Sequence, residues 1–389
     1  MTKLVYVQAQ ADHIASLSRS TPVAAIEELV WNALDADARE VRIDVITNKL
    51  GAVDAIRIAD NGTGIDVLKA DSTFGSLGGS WKRNCATTAE RRRLHGRQGR
   101  GRFKAFALGS LVEWRTTVRE GSGLLSYVIA GSLDNPGVFE IKAAPEPGPG
   151  TGTEVMAMNA FANTDSLLDA GEVVQTLAAK FAMYLKSYPD VRIYFNGLPV
   201  TPLIVQKSVT EIPLTLKEGA EEAKLEIIEW KRRFAGAGRI VFAGAEGFEL
   251  YETASGTRSC GIPFTAYLIS RRFTALAQAN TLEMGELDPE VRMYLDAARS
   301  ALKAHFSSLA AERSSAAVEA WQDEGSYPFK DSESNAKERK RFDELALELS
   351  TRLESFRDMS SADRAVVFGL LRHAMNDVKK GGLKMLLGK

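Results

Sequence analysis

The order of its periodic segments is what most constrains this chain. Ser20 or Thr21 is placed to cap a helix, Pro22 occupies the first turn, and Glu27 and Glu28 follow. Val23, Ile26, Val30 and Leu34 then repeat with the apolar period of a helix that buries one face. Glu40–Ile46 alternates and is β-branched, and DAIRIADNGTGI reads as a second strand ending in a glycine turn. A basic, glycine-rich stretch and an expected helix, GRFKAFALGS, lead to four more strands. LVEWRTTV and LLSYVIAG form a hairpin around REGSG, and VFEIKAA and TEVMAMN flank the loop PEPGPGTG. This is not the strict alternation of a doubly wound sheet. It predicts an α+β sandwich, a mixed sheet with helices on one face.

At 389 residues the chain is too long for one ordinary core. Three regions are expected: 1–163, 164–306 and 307–389. The second contains a helix over Glu172–Ser187, a hairpin at Asn196-Gly197, the strands LEIIEW, RIVFAG and FTAYLIS, and the start of a long helix near Pro289. The third is helical, interrupted by EGSYPF and by the polar stretch DSESNAKERK. The net charge of −1 gives no prior for a nucleic-acid or membrane surface. There is no apolar run long enough to span a bilayer and no signal-peptide core, so a cytoplasmic protein is expected. Cys85 and Cys260 are too few and too far apart for a disulfide framework, and the four histidines are scattered.

Chemistry concentrates in four places. Glu28, Asn32 and Asp35 lie at i, i+4 and i+7, so one helix face carries two carboxylates and an amide. A carboxylate there can act as a general base, and an amide oxygen is a hard ligand suited to Mg²⁺. Asp60–Gly64, DNGTG, reads either as a turn or as an acid at a strand end with room for a flat ligand. Trp81–Lys104 holds nine Lys/Arg against the single acid Glu90, with Gly96, Gly99 and Gly101 inside the run. It is either a solvated loop or a polyphosphate site, and it is not a Walker loop. Finally, GTGTEV delivers Thr153 to the start of a strand.

In this order the four resemble the boxes of the GHKL ATPase superfamily, which includes Hsp90, DNA gyrase B, MutL, MORC proteins and histidine kinases. EELVWNALDADA is similar to its E-x-x-x-N-x-x-D-A box, DNGTGI to its D-x-G-x-G box and GRQGRGRFKAFALG to its second glycine box; Thr153 falls at its sheet threonine. The resemblance spans about Ser16–Met158 and implies a Bergerat-type α/β sandwich that binds ATP and Mg²⁺. It implies that Glu28 activates the attacking water, that Asn32 ligates Mg²⁺, and that Asp60 accepts the adenine amino group. Asp35 and Ala36 would lie beside the adenine, Gly62 and Gly64 would open its pocket, and Thr153 would hydrogen-bond near it. Gly99, Arg100, Gly101, Arg102, Phe103 and Lys104 would serve the phosphates. A lid over about 68–98 would add Ser80 and Lys82.

The presence of Glu28 separates this chain from the histidine kinases and points to slow hydrolysis in an ATP-gated, dimeric clamp. The implied second domain is transducer-like, and Arg271 or Arg272 is its candidate contact to the γ-phosphate. The boxes resemble both MutL and Hsp90. With no endonuclease metal motif in sight, the expectation is an Hsp90-like member of a less typical prokaryotic sort, acting on a protein or DNA client. A nucleotide-sensing scaffold with negligible turnover is the alternative.

Overall fold

The computed structural model describes residues 2–6, 20–66, 87–90, 92, 94–95, 101–135, 137–144, 146, 148–233, 237–245, 247–259, 261–329 and 336–377. It divides into two compact units, Met1–Ser255 with Pro263–Arg292, and Gly256–Ile262 with Met293–Lys389.

The first unit is α+β, and its sheet is built by cross-strand repetition. Strands β1 (Thr2–Tyr6), β2 (Glu40–Thr47), β3 (Val53–Asp60), β4 (Gly109–Glu120), β5 (Gly123–Ser132), β6 (Val138–Ala143), β7 (Gly152–Ala160), β8 (Arg192–Phe195) and β9 (Leu198–Pro199) form one sheet. Its order is β1-β6-β5-β4-β7-β3-β2-β8-β9. Every pairing is antiparallel except β2 with β8. The sheet thus takes two strands from beyond residue 163, the boundary expected between the first two regions. Asn196 and Gly197, both at positive φ, make the tight turn between those strands.

Registers align two apolar rows across six strands. One runs Ile43, Ile58, Val155, Trp114, Ile129, Ile141, and the other Val45, Ile56, Ala157, Val112, Gly131, Phe139. A period of two puts such residues on one face of a strand, and burying each large one contributes about 1.5–3 kcal/mol. Of the residues between them, Asp44, Arg57, Glu113 and Glu140 carry charge. Arg57 pairs with Asp44 at 3.0 Å and with Glu154 at 2.6 Å, all partly exposed. Helix α1 (Pro22–Asp35), the turn α2 (Gly101–Lys104), α3 (Ala170–Lys180) and α4 (Ala182–Ser187) share one hydrophobic core with the sheet.

Two expected helices are shorter than their apolar pattern. GRFKAFALGS yields one α-turn and a 3-10 turn (Ala105–Ala107) before β4 begins at Gly109. A Cβ at Gly109 would stand 2.2 Å from the Met158 carbonyl, so the neighbouring strand claims this residue. The helix expected over Glu172–Ser187 breaks at Phe181, which divides α3 from α4.

Gly131 shows how tightly the core is filled. A Cβ there would lie 2.8 Å from the Phe139 ring and 3.0 Å from Phe106, both buried. Gly131→Ala is therefore expected to lose about 1–3 kcal/mol of stability to overpacking, read as a lower urea midpoint at unchanged slope.

The same unit holds a second sheet from β10 (Gln206–Pro213), β11 (Lys224–Trp230), β12 (Arg239–Ala243), β13 (Glu249–Ala254) and β14 (Phe264–Ile269), ordered β10-β11-β14-β12-β13. All six residues of β14 are buried, including Thr265, whose hydroxyl accepts the Trp230 indole N–H at 3.0 Å. Helix α5 (Arg272–Gln278) follows it.

The second unit is helical, comprising most of the long α6 (Pro289–Asp323), then α7 (Ala336–Arg352), α8 (Glu354–Arg357) and α9 (Ser361–Asp377). Phe342 and Phe368 meet edge to face at 5.2 Å within a cluster that includes Trp321, Phe329 and Phe356. Among the described residues no helix is long and apolar enough to cross a membrane.

Candidate nucleotide-binding site

Helix α1 starts where its sequence says. Thr21 caps it, its Oγ1 accepting from the Ala24 amide at 3.3 Å, and Pro22 fills the first turn. Leu29, Val30 and Leu34 enter the core, while Glu28 and Asn32 stay half-buried one turn apart. The helix ends at Ala36, and Asp37 turns the chain at φ 60.

Asp60, at the end of β3, is the centre of a knot. Its Oδ1 accepts the Gly62 amide at 2.8 Å and the Thr153 amide at 3.2 Å. Both glycines of this knot are sterically required. A Cβ on Gly62 would meet the Ala36 carbonyl at 2.5 Å, and one on Gly152 would meet the Asp60 carbonyl at 2.1 Å. The Thr63 amide donates to the Ala36 carbonyl at 2.7 Å, tying the loop to the end of α1. Gly64, at φ 77, lies against the Thr117 backbone. Burial pushes the Asp60 carboxyl up to about 6, against the pull of its two amide donors. The DNGTG stretch is therefore no hairpin turn. The Asn61 side chain instead accepts the Arg39 and Glu40 amides at 2.8 and 2.9 Å.

The residues carried over from the motifs are placed as follows. Asp35 is buried and accepts the His95 amide at 2.7 Å. Gly101 and Arg102 open α2, and Phe103 is wholly buried, so only its backbone can serve a ligand. Lys104 Nζ reaches Glu28 Oε2 at 3.1 Å. Thr153 Oγ1 lies 3.2 Å from Thr116 Oγ1. Arg272 clasps Glu290 with two bonds of 2.7 and 2.9 Å, while Arg271 is exposed at the start of α5. Ser80, Lys82, Gly99 and Arg100 lie outside the described residues, as does most of the expected lid 68–98.

Several residues around the site have no motif to announce them. Thr116 Oγ1 accepts the Ile65 amide at 2.7 Å, which extends the knot to β4. Its only signal is the strand register that sets it opposite Thr153. Arg92 is buried and donates to the Ala38 carbonyl at 2.6 Å. Asp37 accepts the Thr88 hydroxyl and, at 3.2 Å, the Glu90 amide. The His95 ring stacks on Trp31 at 4.0 Å, nearly parallel. Together these contacts moor the described parts of 87–95 to the end of α1. Glu27 is half-buried, and its desolvation raises its carboxyl; Lys180 and Lys104 act against that rise. Lys180 in turn pairs with Glu249 of β13 at 3.4 Å.

A purine with a polyphosphate tail suits this set. Asp60 offers an acceptor in a steric frame of glycines, and α1 offers a carboxylate beside an amide. The Asn32 amide is a hard oxygen donor of the kind Mg²⁺ takes alongside phosphate and water. Among the described residues no group of three or more His, Cys, Asp or Glu could hold a metal ion by itself.

Comparison with known proteins points the same way. Residues 20–130 match the family model described as histidine kinase-, DNA gyrase B-, and HSP90-like ATPase. The DNA mismatch repair protein MutL of Pediococcus pentosaceus is 29% identical over 181 residues, 44% of this chain and 25% of that protein. MutL of Bacillus pumilus is 30% identical over 155 residues, covering 40% and 22%. A putative type II restriction enzyme, HgiDII, of Herpetosiphon aurantiacus is 35% identical over 86 residues, covering 22% and 13%. Each match thus spans a quarter or less of the relative's own length.

Proposed function

Because the chain belongs to the GHKL ATPase superfamily through its N-terminal region, we propose that it binds ATP with Mg²⁺ between α1, the Asp60 knot and the glycine-rich segment, and hydrolyses it slowly. The observation that carries this reading is the Asp60 knot, where a half-buried carboxylate is held by the Gly62 and Thr153 amides at the end of α1. Asp60 takes the adenine amino group, Glu28 orients and deprotonates the attacking water, and Asn32 completes the shell of the metal. Mg²⁺, when bound, neutralises phosphate charge. Ser80, Lys82, Gly99, Arg100, Gly101 and Arg102 are proposed phosphate contacts, and the segment 68–98 a lid. Of the two arginines on α5, Arg271 is the better candidate for the γ-phosphate, since Arg272 is committed to Glu290.

Lid closure is proposed to drive two copies together into a clamp. The mismatch-repair relatives favour DNA over protein as the client. Their matches to this chain support the MutL side of the superfamily more than an Hsp90-like one. Light scattering of the full chain with a non-hydrolysable ATP analogue tests the clamp. A shift from monomer to dimer, or compaction of an existing dimer, is expected. Unchanged size at saturating analogue favours the nucleotide-sensing scaffold.

A further inference from the structure

Glu28 is the proposed base, yet one of its carboxylate oxygens is held by an ammonium. Its Oε2 lies 3.1 Å from the Lys104 ammonium, with both side chains largely shielded, at 22% and 35% exposure. Shielding keeps such a pair from being screened as a surface bridge would be. The backbone that carries Lys104 is pinned on both sides. Phe103 and Phe106 are buried, and their rings pack on Phe139 at 6.0 and 6.3 Å. The Lys104 side chain can therefore swing while its backbone stays in place. It is long and flexible, a mobile point charge on four methylenes. In the sequence it ends the basic, glycine-rich run that the ATP-binding reading assigns to the phosphates, and in the structure it reaches α1. A second carboxylate, the half-buried Glu27, lies within the field of the same ammonium.

From this geometry we propose that Lys104 gates Glu28: the ammonium holds the carboxylate in the free protein, and the terminal phosphate of a nucleoside triphosphate draws it away. The inference rests on the ATP-binding reading above and adds a regulation to it. Glu28 holds the ammonium directly and Glu27 adds to the negative field on it, so a weak anion does not displace it. A γ-phosphate, carrying close to two charges and bonded through three oxygens, does. Once released, Glu28 is an uncompensated, partly buried carboxylate that must take a new hydrogen-bond donor, and the attacking water is that donor. A nucleoside diphosphate leaves the pair closed. The base is thus armed only when its substrate is present.

Zero-length carbodiimide coupling reads the pair directly, because it joins a carboxylate to an amine only when the two are in contact. In the full-length protein the peptide linked through Glu28 and Lys104 is expected in the free state and with ADP. Saturating non-hydrolysable ATP analogue is expected to lower its yield at least about tenfold. Nucleotide occupancy is measured on the same samples with a fluorescent analogue. Bound triphosphate with an undiminished cross-link overturns the gate and leaves the ATP site standing. Absence of any nucleotide binding, read from the fluorescent analogue, overturns both.

Discussion

Glu28→Ala protein binds ATP and turns over almost none of it. A positioned general base contributes about 10²–10⁴-fold, so kcat for phosphate release is expected to fall by that factor. Binding is spared because Glu28 is not proposed to touch the nucleotide, and its removal also takes away a negative charge near the phosphates. Removing it frees Lys104, now without its partner at 3.1 Å, to bind phosphate. Titration calorimetry with a non-hydrolysable analogue and steady-state phosphate release, run on the same preparation, separate the two quantities. Turnover within threefold of the unsubstituted protein would remove Glu28 from the mechanism. A parallel loss of affinity would mean that the side chain supports the pocket instead of the water. Glu28→Gln refines the result, since the amide can still accept from Lys104 but cannot take a proton. It should bind as well as the alanine variant and be equally inactive.

The proposed hydrolytic centre and the second sheet are linked by a run of alternating charge. Glu28 holds Lys104, Glu27 lies within the field of both Lys104 and Lys180, and Lys180 holds Glu249. Glu249 Oε1 accepts the buried Tyr267 hydroxyl at 3.4 Å, on the central strand β14. Two ion pairs, Glu28 with Lys104 and Lys180 with Glu249, are thus coupled through the field of Glu27. If phosphate takes Lys104, the remaining acids compete for Lys180 alone, and β13 is the element that would feel it. An energetic coupling of this kind needs two arrangements of the same contacts, and a movable lysine between fixed carboxylates provides them.

Much of this architecture was legible from local chemistry. The cap at Thr21, Pro22 in the first turn, the alternation in β2 and the Asn196-Gly197 turn are all decided within a few residues. So are the boxes, because a helix face and a strand-end acid are short-range features. What stayed hidden is long-range. Lys104 meets Glu28 across 76 positions, and no periodicity encodes that meeting. Thr116 joins the knot only because register sets β4 against β7. Arg92 reads as one basic residue among nine, yet it is buried under the Ala38 carbonyl. The segment GRFKAFALGS has helical composition, but the close approach of Gly109 to Met158 ends the helix early. In each case a tertiary contact overrode a local preference.

Asp60→Asn is expected to weaken ATP binding by about 10²-fold while leaving the protein as stable or more so. The amide oxygen can still accept from Gly62 and Thr153, so the knot survives. The amide nitrogen then faces the adenine amino group, donor against donor, in place of a charged acceptor; a loss of about 3 kcal/mol is typical. Stability follows from linkage. The folded carboxyl ionises near 6, above its ordinary value of 3.8. The native state therefore holds more protons than the unfolded one between those values, and stability falls as pH rises through that window. At neutral pH the buried charge costs up to about 3 kcal/mol, which asparagine does not carry. The same shift makes ATP binding pH-dependent. Below pH 6 the nucleotide must expel a proton from Asp60, so affinity drops towards tenfold per pH unit in the unsubstituted protein. The phosphates titrate alike with either side chain, so the difference between the two pH profiles isolates Asp60. Parallel profiles from pH 5 to 8 would show that the carboxylate does not receive the base, and the adenine would have to be sought elsewhere along α1.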